Sequence, residues 1–424
     1  MTVTVRDAAS ARRVYCLAVL TGMSAVNQLD RQLMSIVLDP VRREFGLTDV
    51  QLGLISGIAF AALYTTFSIP AALWAVDHSR RNLIAVAAAV WGGMTMLCGA
   101  AQTFAQLFVA RLGVGVGEAG GIPPAHAMIS DLYPPGERAT AMAIWAAGIN
   151  IGVFLAFMFG GLIAQRFGWR TAFVVPGGMT VLFAVLTRLT VREPPRAAEP
   201  YPFVVAPRSG GQVRESWRLM CQDAVLRHVC SGAIITATVG YGALAWVPSY
   251  LIRSHHMDIG SIGAYLAIAV GIGGALGNWL GGRYSDVLRR RDIRWSLWLV
   301  AALFIGSKPF SIAFYLLHDT SAALAVFVVP AAIGAIFMGP SIAVLHDRVP
   351  AALRPIVSAI YLLLVNFIGL GVGPLVTGAL SQFVFAGYGE DSLRYALVVI
   401  QVFGVWGGLH YYIAGRHLAR APGT

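Results

Sequence analysis

Asp30 and Arg31 stand side by side in the run VYCLAVLTGMSAVNQLDRQLMSIVL, and Arg111 and Glu118 stand seven residues apart in ARLGVGVGEAGG. Both runs are otherwise apolar, small or uncharged. Residues of these types suit proton uptake and anion binding. A carboxylate withdrawn from water, with one arginine as its nearest counter-charge, can take up a proton, and an arginine presents a planar fork of donors to a phosphate or carboxylate. Charges in hydrocarbon cost at least a few kcal/mol each unless they pair or reach water. The economical expectation is one buried cluster of Asp30, Arg31, Arg111 and Glu118. Glu118 and Asp30 are then the proton-coupling candidates, and Arg31 and Arg111 the candidates for holding a substrate headgroup. The competing reading of the cluster is a structural lock between two helices.

The elements that must carry these residues follow from composition. The chain has 424 residues, 57% hydrophobic and only 12% charged, with a mean hydropathy of +0.70, against roughly 25% charged in globular domains. Runs of about 20 apolar residues predict membrane-spanning helices. Twelve such runs lie at about 14–38, 52–76, 83–103, 106–130, 139–164, 171–191, 226–252, 260–282, 295–317, 321–345, 355–385 and 394–416. The expected fold is an all-α membrane protein. At 1.5 Å per residue Asp30 lies roughly 12 Å from the outer end of the first span, between Arg111 at roughly 8 Å and Glu118 at roughly 18 Å in the fourth. Seven residues are almost two turns, so Arg111 and Glu118 share a helix face.

The formal charge of +11 raises the question of nucleic acid, which the placement of the basic residues answers. With an inside start, 22 of the 31 Lys and Arg fall in cytoplasmic segments, six in outer loops and three (Arg31, Arg111, Lys308) within spans. The positive-inside rule then puts both termini in the cytoplasm, with bacterial inner membrane as the expected location. Nucleic acid is not an expected partner. No cleavable signal peptide is expected before the first span. Cys16, Cys98, Cys221 and Cys230 have neither metal spacing nor a disulfide framework. No metal and no cofactor are expected. Gly113, Gly115 and Gly117 imitate a dinucleotide loop, but they lie inside a membrane helix without a preceding strand.

The chain is internally duplicated. Asp131-x-x-Pro134-x-x-x-Arg138 recurs as Asp347-x-x-Pro350-x-x-x-Arg354 at an offset of 216, and Asp77 with Arg81 recurs as Asp286 with Arg289–Arg291 at an offset of 209. Two matched pairs at matching helix ends indicate a repeated six-helix unit. The expected organisation is a bundle over 1–191, a cytoplasmic linker over 192–222 rich in proline, and a second bundle over 223–424. The candidate cytoplasmic gate comprises Asp77, Arg81, Asp131, Arg138, Asp286, Asp347 and Arg354.

The six-plus-six layout, the acidic-basic loop after the second helix and FGWRTAF of 167–173 resemble the major facilitator superfamily. Within it, N-x-x-D-R in the first helix, ARLGVGVGEAGG, ISDLYPPGER of 129–138 and LAWVPSYL of 244–251 resemble the Spinster family. The resemblance implies two pseudo-symmetric bundles and alternating access to a central cavity lined by helices one, four, seven and ten. For eukaryotic relatives it implies sphingolipid or lysophospholipid cargo. The chain departs from the family at Leu73 and His78, where a small and a basic residue are usual, so the gate motif is degenerate in the amino half and kept in the carboxy half.

Asn150, Tyr241, Trp246, Tyr361 and Asn366 are candidate cavity residues, with close packing or an interface belt as the alternative for each. Lys308, the only lysine, is expected to snorkel to the outer interface. His78 and His346 are expected as interface residues. An enzyme is disfavoured, since no H-E-x-x-H, G-x-S-x-G or acidic metal pair is present, and a sensor lacks an output surface. The expected function is proton-coupled secondary transport of a lipid-like amphiphile by a monomer among membrane lipids. Small organic anions or drug efflux are the alternatives.

Overall fold

The computed structural model describes residues 5–194, 210–334 and 336–418. Among them there is no strand. The helices are α1 (Val5–Phe45), α2 (Asp49–Asp77), α3 (Arg80–Ala100), α4 (Phe104–Ala119), α5 (Ile122–Leu132), α6 (Pro135–Phe167), α7 (Trp169–Thr190), α8 (Gly210–Gln222), α9 (Ala224–His255), α10 (Ile259–Arg291), α11 (Arg294–Leu316), α12 (Thr320–Ile333), α13 (Met338–Arg348), α14 (Arg354–Val384) and α15 (Ser392–Leu418). Residues 195–209 of the expected linker lie outside the described part, as do the outermost residues of both termini.

Among the described residues ten helical segments are long and apolar enough to cross a membrane. The expected first and fourth spans are not among them, for a physical reason. Asn27, Gln28, Asp30 and Arg31 lower the apolarity of α1, and the fourth run breaks at Gly120 and Gly121, after which Pro123 and Pro124 open α5. Proline in the first turn costs no hydrogen bond. These two less apolar or interrupted segments are the ones that carry Asp30, Arg31, Arg111 and Glu118.

The chain divides into two compact units. The first comprises Met1–Val41, Ala59–Val204 and Ile259–Ala267; the second comprises Arg42–Ile58, Val205–Asp258 and Ile268–Thr424. Arg42–Ile58 thus groups with the carboxy-half helices and Ile259–Ala267 with the amino-half ones. In both cases the change falls at a π-helical turn, Leu54–Ile58 in α2 and Ala267–Ile272 in α10.

In the first unit α3 lies along α7, and the backbones meet where Gly92 faces Gly177. Gly115 and Gly117 of α4 admit the backbones of Phe60 and Trp91 at distances that a side chain would block. These glycines are packing devices. The second unit is built on α9 and α11 against α15, over a core that includes Val229, Ala233, Leu297, Phe304, Val357 and Tyr361.

Candidate functional site

The first unit brings Arg31 and Glu118 into contact. Arg31 Nε donates to Glu118 Oε2 at 2.7 Å. Glu118 is fully buried and the Arg31 side chain is 14% exposed. The guanidinium lies over two rings of α2, 4.5 Å from the Tyr64 centroid and 5.0 Å from that of Phe60. Phe60 and Tyr64 are four residues apart and stack on each other at 5.2 Å. One helical face therefore supplies a platform that orients the fork.

Arg111 and Asp30 belong to the same neighbourhood without sharing that hydrogen bond. Arg111 sits over the Phe60 ring at 5.5 Å and is buried. It is within electrostatic range of both Asp30 and Glu118. Asp30, fully buried, accepts from the hydroxyls of Thr95 (3.4 Å) and Thr180 (3.3 Å) through Oδ2. The four charges are thus gathered as a pair, Arg31 with Glu118, and two flanking groups. Among the described residues, buried Arg31 Nη2 and Arg111 Nε have no hydrogen-bond acceptor, while Asn27 lies within hydrogen-bonding reach of Glu118 and Trp91 of Asp30. Buried polar groups are normally satisfied, so these spare guanidinium donors are a place for water or an oxyanion.

Thr95, Thr180, Phe60 and Tyr64 escaped the sequence reading. The threonines are isolated polar residues in apolar helices and signal nothing by themselves. The aromatic pair had a weak signal in its i, i+4 spacing.

At one end of the first unit Asp131 pairs with Arg80. Arg80 N and Ser79 Oγ also donate to Glu193. Arg81, the basic residue singled out from sequence, instead donates to Val191 O and Asn82 Oδ1. Arg138 Nε donates to the carbonyls of Ser130 and Tyr133 at 3.0 Å each. The second unit repeats the pattern: Asp347 pairs with Arg289, and Arg354 Nε donates to Val349 O at 3.3 Å. Arg80 and Arg289 are related by the same offset of 209 as Asp77 and Asp286, and Tyr133 and Val349 by 216. The repeat in sequence is a repeat in bonding. Asp77 and Asp286 form no ion pair among the described residues.

The remaining candidates are placed by packing. Asn150 is half-buried on α6, between Gly148 and Gly152, which press against α1 at Thr21 and Ala25. Trp246 is fully buried, with Nε1 donating to Pro374 O at 2.9 Å. Tyr361 is buried, with its hydroxyl toward Met338 Sδ, and Tyr241 packs against the same core. Asn366 donates to Leu362 O at 2.8 Å within the π-helical part of α14. His346 Nε2 meets Ser358 Oγ at 2.7 Å, and the His78 ring lies edge-on to Trp74 at 5.3 Å.

Lys308 departs from expectation. It is buried at 6% exposure, and its Nζ donates to Gln401 Oε1 at 2.9 Å instead of reaching the interface. The space for its ammonium end is made by Gly404 on α15. Sequence could not supply that partner, 93 residues away.

Comparisons with known proteins agree with this architecture. Residues 20–374 match the model of the Major Facilitator Superfamily. An MFS-type efflux pump of Mycolicibacterium smegmatis is 33% identical over 407 residues, covering 95% of this chain and 93% of that protein. A hexuronate transporter of Bacillus subtilis is 25% identical, over 83% of this chain and 84% of its own length. The crystal structure of a bacterial homologue of the human lysosomal transporter Spinster, inward-facing and unoccupied, superposes with a TM-score of 0.85 at 28% identity, covering 97% of this chain and 99% of that one. The chain belongs to the major facilitator superfamily and is a multi-pass membrane transporter.

Proposed function

We propose that this transporter couples protons to the movement of an amphiphilic, lipid-like molecule with an anionic or zwitterionic headgroup, of the lysophospholipid or sphingolipid class, by alternating access. The observation that carries the reading is the Arg31–Glu118 pair on its aromatic platform, with Arg31 Nη2 and Arg111 Nε spare beside it. With Glu118 ionised, Arg31 is held. Protonation of Glu118 removes the counter-charge, and Arg31, already stacked on Tyr64 and Phe60, is free for a headgroup oxyanion. Asp30 keeps the neighbourhood from becoming purely basic. Cargo binding and Glu118 protonation then favour one another by the same factor.

The lipid-like class is what the resemblance to the Spinster family implies, and a bacterial Spinster homologue is among the similar structures. A second reading, a small organic anion, draws on relatives named as transporters of galactarate, glucarate and hexuronate; efflux draws on the Mycolicibacterium smegmatis relative. The test is cargo binding against pH in purified protein, with lysophospholipids and hexuronates assayed side by side. The proposal expects binding of the lysophospholipid, pH-dependent in the wild type and pH-independent in Glu118→Gln. The same pH dependence in both proteins would sink the coupling role. Binding of the hexuronate alone would sink the lipid-like class.

A further inference from the structure

Helix α8 lies immediately before the span α9, joined to it through Asp223, which caps α9 by accepting from Leu226 N and pairs with Arg348. It is short and polar. Its inward face is Ser216 and Met220, both buried, with Leu219 packed on the core of the second unit. That face is fully accounted for by contacts to α9 and α14. The outward face is of a different kind. Val213, Trp217 and Cys221 follow one another at four-residue spacing and are exposed, Trp217 by 49%. Arg214 and Arg218, also exposed, run parallel to them one position on. Arg227 adds a third guanidinium at the same end, donating to Cys221 O.

An exposed tryptophan edge beside a row of arginines, set where a span begins, has the chemistry of the membrane boundary. The indole and valine suit the acyl edge and the guanidiniums suit phosphate oxygens. Glu215 is the one exposed acid of the helix, and it lies on the flank away from Val213 and Trp217.

We propose that α8 is an interfacial lipid-binding helix, with Val213 and Trp217 entering the bilayer boundary and Arg214 and Arg218 holding the phosphates of anionic phospholipids. The inference is independent of which cargo the transporter moves. It places the polar half of the inter-bundle segment on the membrane surface, so that leaflet charge bears directly on the start of α9.

Cys221 gives a direct readout, because Cys16, Cys98 and Cys230 are buried and Cys221 is exposed. A bimane attached to Cys221 of the full chain in nanodiscs is quenched by spin-labelled phosphatidylglycerol or, in parallel, by spin-labelled phosphatidylcholine at equal mole fraction. Anionic lipid is expected to quench more by at least about twofold, since arginines near an anionic surface are drawn to it. The difference should close at high salt and in the Arg214→Gln, Arg218→Gln double variant, which leaves the packed face of α8 untouched. Equal quenching by both lipids overturns the proposal. Absence of quenching by either also overturns it, and means that protein covers the stripe.

Discussion

Arg31 Nε reaches Glu118 Oε2 at 2.7 Å while its guanidinium lies 4.5 Å from the Tyr64 ring centroid. The ion pair and the stack act on one side chain from two directions. Arg31→Lys keeps the charge but has neither the plane nor the fork. It is expected to weaken cargo binding by about tenfold or more, equivalent to about 1.4 kcal/mol. Isothermal binding measurements on the lysine variant check this; wild-type affinity would show that charge alone suffices.

Tyr64→Leu separates the stack from the ion pair. Cation–π contacts contribute about 0.5–2 kcal/mol depending on desolvation, so binding should weaken by roughly twofold to thirtyfold while the pH dependence carried by Glu118 persists. A leucine variant that lost its pH dependence would instead assign Tyr64 to the proton pathway.

The duplicated ion pairs differ in burial. Asp131 and Arg80 are 6% and 13% exposed, and Asp347 and Arg289 are 40% and 30% exposed. Breaking a buried pair costs about 3–5 kcal/mol, whereas an exposed pair contributes about 0–1 kcal/mol. Asp131→Asn should therefore lower thermal stability clearly more than Asp347→Asn. Charge-swapped Arg80→Asp with Asp131→Arg should recover part of the loss. Equal melting temperatures for the two asparagine variants would contradict the burial argument.

Lys308 invites a test of why a lone ammonium is buried. Its partner Gln401 is neutral, and no acid pairs with it among the described residues. Replacing a buried charge by an apolar side chain of similar volume is often neutral or stabilising, so Lys308→Met should fold at least as well as wild type. Gly404→Ala brings its methyl against the flexible end of Lys308, Cε and Nζ, so it should displace the ammonium from Gln401 at little cost in stability. A strongly destabilised Lys308→Met would overturn this.

The sequence made the charged residues of the site visible because a charge in an apolar run is anomalous on its own. Asp30, Arg31, Arg111 and Glu118 needed no partner to be noticed, and the repeat of Asp131 at Asp347 was visible as spacing. What pairs with what was less accessible. Thr95 and Thr180 become partners of Asp30 only once α3 and α7 are packed together through Gly92 and Gly177. Arg80 and Arg81 are adjacent and chemically identical, and only the turn at Ser79 decides that Arg80 faces Asp131. Lys308 was misjudged because snorkelling is a local expectation, whereas its burial depends on a glycine in a distant helix.

Asp49 joins three elements of the second unit at the start of α2. Its carboxylate takes Arg253 Nη1 at 3.1 Å and Nη2 at 2.9 Å, and Ser381 Oγ donates to it at 2.6 Å. The next residue, Val50, donates its N–H to Gln382 Oε1 at 3.0 Å. Arg253 also lies over the Trp246 ring at 5.7 Å. The first turn of α2 is thereby fastened to the ends of α9 and α14, and the π-helical turn at Leu54–Ile58 follows directly. π-Helical turns break the regular hydrogen-bond ladder and often mark functional bends. Release of Asp49 should therefore loosen residues 49–58 before the rest of α2. Asp49→Asn keeps the size and removes the charge that Arg253 and Ser381 meet, and breaking a largely buried pair is destabilising. Backbone hydrogen exchange should rise across residues 49–58 in this variant and remain unchanged across 64–77. Uniform exchange along the whole of α2 would show that the turn does not divide it.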